Sequence, residues 1–241
     1  MTLEEARNKI IFALDVHGLD DIDRWAETLA GKIGMFKVGK ELFTSCGPAA
    51  VKAVQRHGGN VFLDLKYHDI PNTVANAMLE AARLGVQLAN LHALGGAEMM
   101  ETAVSAVHRE FSGADRPRLL AVTILTSSTA VTLRQIGIEH TVQDMVVRLA
   151  RLARESGMDG VVASPQEIGL IRDACGPDFL IVTPGVRPSF AAADDQKRIM
   201  TPGEAVSSGA DYLVIGRPIA KAADPGHSAD LITAEITESV A

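Results

Sequence analysis

The run Asp64-Leu65-Lys66-Tyr67-His68-Asp69-Ile70-Pro71 sets two carboxylates and an ammonium close together in the chain. On a strand, Asp64 and Lys66 are two apart and share a face, while Leu65 turns away. Such a set suits proton transfer and the stabilisation of charge that develops during a reaction. A purely structural account also exists. Asp64 and Lys66 would form a plain ion pair, and Asp69 would cap a helix entered through Pro71. Opposite charges on one face beside a third carboxylate favour chemistry over that account.

Further polar residues end or flank other apolar runs: Asp15, Lys37, Thr126, Thr183-Pro184-Gly185 with Arg187 soon after, and Gly216-Arg217. Ile215-Gly216-Arg217-Pro218 has the makings of a phosphate site. Glycine allows close backbone approach, a helix starting near Pro218 offers a favourable dipole, and Arg217 can grip phosphate with two N–H groups. An ordinary turn with a solvated arginine is the competing account.

These residues need elements to hold them. Short apolar runs at 10–16, 35–38, 60–66, 88–92, 119–124, 160–163, 179–183 and 212–215 read as strands covered on both faces. Amphipathic patterns between them, including 19–30, 72–84 and 141–156, read as helices. Strand–helix alternation of this kind predicts an α/β fold, a (β/α)8 TIM barrel occupying 1–241 as a single catalytic domain. An open doubly wound sheet is the structural runner-up, weakened because no GxGxxG follows the first strand. In a barrel, the C-terminal strand ends carry the active site, which is where the residues above fall. The polar segment 185–201, holding Pro188, is too long for a plain connection and reads as a functional loop of the lid type.

Composition narrows the classes. Of 241 residues, 47% are hydrophobic and 22% charged, so the chain is not intrinsically disordered. The net charge of −7 gives no basic footprint for nucleic acid or for an anionic membrane. It leaves room for a small anion, because a few local cations override a global sign. Cys46 and Cys175 lack CxxC spacing and cannot form a metal cage, which fits a reduced, cytoplasmic protein. No apolar run is long enough to span a membrane, and the polar start Met1-Thr2-Leu3-Glu4-Glu5 is unlike a signal peptide.

The stretch Asp64-x-Lys66-x-x-Asp69-Ile70-Pro71-Asn72-Thr73 resembles the signature of the orotidine 5′-phosphate decarboxylase family in its bacterial form. The likeness extends along the chain through Phe12-Ala13-Leu14-Asp15, Lys37-Val38-Gly39, Leu125-Thr126-Ser127, Thr183-Pro184-Gly185-Val186-Arg187 and Ile215-Gly216-Arg217-Pro218. It implies conversion of orotidine 5′-phosphate (OMP) to UMP and carbon dioxide, with no cofactor and no metal. Lys66 would protonate C6 of the pyrimidine, and Asp64 and Lys37 would complete a charge network. Asp69 and Thr73 would reach the site of the partner in a homodimer. Asp15 and Lys37 would contact the ribose, Thr126 the pyrimidine, and Ile70 and Pro184 would line the substrate site. Gln196 and Arg187 would meet the ligand from the closing loop, while Gly216 and Arg217 would hold the phosphate.

Rivals share parts of this pattern. Keto-gulonate-phosphate decarboxylases and hexulose-phosphate synthases carry the same Asp-x-Lys-x-x-Asp but need a divalent metal, with an acidic residue where this chain has Lys37. A metal-dependent epimerase would want histidines on several strand ends. His92 alone sits at one, and it reads as a packed or hydrogen-bonded barrel residue. A non-catalytic phosphate-binding module has no need of the Asp64/Lys66/Asp69 set.

Overall fold

The computed structural model describes residues 1–190 and 200–240. Its eight parallel strands follow chain order and close into a barrel. The elements are α1 (Leu3–Asn8), β1 (Ile10–Leu14), α2 (Leu19–Thr28), β2 (Met35–Gly39), α3 (Lys40–Cys46), α4 (Pro48–Arg56), β3 (Asn60–Tyr67), α5 (Pro71–Arg83), β4 (Leu88–His92), α6 (Gly96–Glu110), β5 (Arg118–Val122), α7 (Ala130–Gln135), α8 (Val142–Glu155), β6 (Gly160–Val162), α9 (Ile168–Cys175), β7 (Leu180–Pro184), α10 (Pro202–Ser207), β8 (Tyr212–Ile215), α11 (Arg217–Ala220) and α12 (Pro225–Ser239). The expected (β/α)8 architecture is present. Strand ends differ from expectation by a residue or two. β1 stops at Leu14, so Asp15 lies just past it, and β5 stops at Val122, which leaves Thr126 in a turn beyond the strand.

The chain divides into two compact units, 1–65 with 183–241, and 66–182. In the first, β1 pairs with β2 and β8, and β2 pairs with β3, all parallel. Every residue of β1 is buried, as its unbroken apolar sequence requires of a strand covered on both faces. Phe12 lies against the Trp25 ring at 4.9 Å and edge-on to Phe36 at 6.3 Å. Burying a side chain of that size stabilises by about 2–3 kcal/mol. Ile22 and Ala26 bring the apolar face of α2 to the same interior.

In the second unit, β4 pairs with β5, β5 with β6 and β6 with β7. Helices α5 and α6 bury Val74, Met78 and Ala81 on one and Met99, Ala103 and Val107 on the other. At the N-terminal ends of β5 and β6, Asp159 accepts two guanidinium bonds from Arg116, at 2.7 and 2.8 Å. It also accepts from Arg118 at 3.2 Å and from the Leu119 N–H at 2.7 Å. Two chain segments that meet at the foot of these strands are thereby tied by one carboxylate.

Candidate active site

In the first unit, charge gathers around β1, β2 and β3. The Lys37 ammonium lies 3.5 Å from Asp15 Oδ1 and 3.8 Å from Asp64 Oδ2. Lys37 and Asp64 are mostly buried, with side chains 13% and 12% exposed, whereas Asp15 is 69% exposed. A buried ammonium needs compensating charge, which these carboxylates supply. Register explains the arrangement: Lys37 pairs with Ala13 of β1, and Gly39 pairs with Asp64 of β3. Gly39 shares the Lys37 face of β2. A Cβ at position 39 would stand 2.9 Å from Lys37 Nζ, so glycine there leaves room for the ammonium.

Gly216 closes in on the same strand end. A Cβ on it would lie 3.3 Å from the Ala13 Cβ and 3.8 Å from Asp15 Oδ2. Arg217 is exposed and begins α11, one residue earlier than Pro218. Pro184 ends β7 and is half-buried. Arg187 is half-buried, with its N–H donating to the Met200 carbonyl at 3.1 Å, so the two ends of the long segment meet. Ser189 donates through its N–H and its hydroxyl to Glu235 of α12, at 3.1 and 3.2 Å. Gln196 lies outside the described residues.

In the second unit, Lys66 is half-buried and has φ +52°, the only positive φ on a non-glycine among the described residues. A left-handed lysine costs about 1–3 kcal/mol and persists only where its surroundings hold it. Its N–H donates to Oδ1 of the fully buried Asn90 at 2.8 Å. The alternation argument for Asp64 and Lys66 presumes extended backbone. At Lys66 the bend sets the direction of the side chain instead. Burial pushes the neighbouring Tyr67 phenol above its ordinary pKa, so it stays neutral.

Asp69 is exposed, and its Oδ1 accepts the Ile70 N–H at 2.7 Å. It is not a helix cap. Ile70 occupies the N-cap of α5, with no side-chain cap bond, and Pro71 fills the first helical position, where no N–H is wanted. Ile70 is 67% exposed and Thr73 is exposed on the first turn. Thr126 is exposed in the turn after β5. The His92 ring lies 5.6 Å from that of His68, tilted by 38°, which suits its reading as a packed residue.

The structure thus groups Asp15, Lys37, Asp64 and Gly216, and puts Lys66 two residues past Asp64 along β3. It leaves Asp69, Ile70 and Thr73 on an open surface. Two contributors escaped sequence reasoning. Gly39 was detectable as a glycine on the Lys37 face of its strand. Asn90 was detectable as an amide amid the apolar residues of Leu88-Ala89-Asn90-Leu91.

Residues 8–232 match the family model described as "Orotidine 5'-phosphate decarboxylase / HUMPS family". The chain is 77% identical over 236 residues to a protein of Pelobacter propionicus named orotidine 5′-phosphate decarboxylase, covering 98% of each chain. It is 76% identical over 240 residues to one of that name from Trichlorobacter lovleyi, covering 100% of each. Among solved structures, the orotidine 5′-phosphate decarboxylase of Lactobacillus acidophilus superposes with a TM-score of 0.83 at 37% identity, covering 94% of this chain and 98% of that one.

Proposed function

Because the chain belongs to the orotidine 5′-phosphate decarboxylase / HUMPS family, we propose that it converts OMP to UMP and carbon dioxide, the last step of UMP biosynthesis, without a cofactor. The observation that carries this reading is the Asp15–Lys37–Asp64 set on adjoining strands, with Lys66 two residues further along β3.

In the reaction, the bond from C6 to the carboxylate breaks, its electron pair stays on C6, and carbon dioxide leaves. A proton from Lys66 Nζ then closes the valence at C6. The pair sits in an in-plane orbital that no ring carbonyl delocalises, so nearby fixed charge must stabilise it. An ammonium interacts more favourably with the developing carbanion than with the spread charge of the starting carboxylate, and that difference is what accelerates a reaction. A carboxylate near the leaving group adds repulsion that departure relieves. At 4 Å and an effective dielectric near 20, one such interaction is about 4 kcal/mol. Large enzymatic accelerations need up to about 23 kcal/mol, so preorganised charge and remote phosphate binding must supply most of it.

Asp15 and Lys37 bind the ribose in this reading. Thr126, Ile70 and Pro184 border the base, and Arg187, Gly216, Arg217 and Gln196 receive the phosphate side. The whole chain acts as one catalytic domain in this reading. The active form is a homodimer in which Asp69 and Thr73 reach the partner's site. Their exposure supports this, as do the exposed apolar side chains of Ile70, Leu94, Leu125, Val131 and Ile136 on the same unit. A cytoplasmic setting fits the two free thiols, Cys46 and Cys175. No helix among the described residues is long and apolar enough to cross a membrane.

The test is loss of OMP absorbance with excess EDTA and no added cofactor. Full activity in EDTA is expected, since the Lys37 ammonium repels a divalent ion; loss of activity would move the chain to the metal-dependent branch of the family. Lys66→Ala should abolish turnover while UMP still binds. For the dimer, mixing Lys66→Ala with Asp69→Ala chains should restore about a quarter of wild-type activity, because half the dimers are mixed and each holds one intact site. No recovery on subunit exchange would sink the shared site.

A further inference from the structure

A strand N–H ordinarily bonds a neighbouring backbone carbonyl. At Lys66 the N–H bonds a side chain instead, Asn90 Oδ1, at 2.8 Å, at the one non-glycine residue among those described whose φ is positive. Asn90 sits in the middle of β4, opposite Leu120 of β5, and is fully buried. Asparagine is disfavoured in strands, and burying its amide is costly without partners. The residues around it in β4, Leu88, Ala89 and Leu91, are apolar and buried. An amide here is thus a local exception in β4, and it meets the chain at a second exception in β3.

We infer that Asn90 is a positioning residue for Lys66. It holds the lysine backbone in the left-handed region, and so fixes the direction in which the Cα–Cβ bond carries the ammonium. In regular extended backbone, the side-chain direction at 66 would follow from the pleat alone. The bend frees it from that rule, and a buried, directional bond then has to define it. An acid held by a four-carbon stem gains most from such anchoring, because stem rotamers multiply any error in the Cα–Cβ direction. A misplacement of about 1 Å at a reacting group costs about 100-fold in rate.

This inference rests on Lys66 being the proton donor, and its tests separate the two ideas. Asn90→Leu keeps volume and removes the acceptor, whereas Asn90→Asp keeps an oxygen in place. The leucine variant should lose about 10–100-fold in kcat, with KM and UMP affinity within about threefold of wild type. The aspartate variant should regain most of that loss. Wild-type kcat in Asn90→Leu, or parallel loss of kcat and UMP affinity, would overturn the inference. A second measurement needs no catalysis and covers a leucine variant that fails to fold. The drop in denaturation midpoint caused by Asn90→Ala should shrink in a Lys66→Gly background, because glycine adopts φ +52° unaided. Equal drops in both backgrounds would remove the clamp, even if Lys66→Ala proves inactive. Conversely, turnover by Lys66→Ala would remove the catalytic reading and leave the midpoint comparison to decide the clamp.

Discussion

In the middle of β2, Lys37 stands 3.5 Å from Asp15 and 3.8 Å from Asp64. Just ahead of β6, Asp159 takes guanidinium bonds from Arg116 at 2.7 and 2.8 Å, another from Arg118 at 3.2 Å, and the Leu119 N–H at 2.7 Å. Both clusters mix opposite charges on neighbouring strands, and the Asp159 bonds are the shorter. Burial alone would push the Asp159 carboxyl up, but the bonds from Arg116, Leu119 and Arg118 outweigh it and hold the group below its usual pKa. The bond from Asp159 in turn raises Arg116. That cluster is committed to the fold. At Lys37 the separations from Asp15 and Asp64 are longer, close enough for the charges to compensate one another. The proposed function gives the Lys37 cluster a different task, contact with the ligand.

Asp159→Ala should destabilise the fold by about 3–5 kcal/mol, because it leaves buried guanidinium without its partner. Its kcat, measured well below the lowered melting temperature, should match wild type. A variant of normal stability would show that the short bonds are not what ties β5 to β6. Lys37→Met should do the reverse, lowering kcat/KM by about 100–1000-fold with little change in denaturation midpoint. A collapse in stability with activity kept would make the Lys37 cluster structural after all.

A smaller effect sharpens the same distinction. Glu167 is buried, and burial pushes its carboxyl up to about 7 against a smaller lowering by the Ser164 N–H, which it accepts at 3.0 Å. The folded protein therefore binds a proton that the unfolded chain, with its ordinary value of 4.5, releases. The resulting stability is fully present below pH 4.5 and is lost as pH rises through 7. Glu167→Gln keeps an acceptor and removes the titration, so it should gain about 1–3 kcal/mol over wild type between pH 5 and 8. Parallel stability curves for the two proteins across that range would refute a raised Glu167.

Much of this was legible beforehand. The apolar runs marked all eight strands because parallel strands buried on both faces cannot hide their hydrophobicity, and Ile10–Leu14 is the plainest case. The strand ends were less legible. β5 stops before Ile124, which is itself apolar and buried, so hydropathy gives no stop signal there. Asp69 before Pro71 looks like a cap, yet the cap is Ile70, because the choice depends on one backbone angle and not on residue type. The pleat rule at Lys66 failed for the same reason.

The amino-acid sequence alone determined the alternation of strands and helices, and with it the barrel, since burial periodicity is a local and additive property. It also determined which charged residues lie within or just after the strands, because spacing along the chain is enough to place them there. Only the tertiary structure decided that Lys37 stands between Asp15 and Asp64 and that Asn90 accepts the N–H of a left-handed Lys66. Each of those depends on the distance between residues far apart in sequence. Strand register sets that distance, and no single segment carries the register by itself.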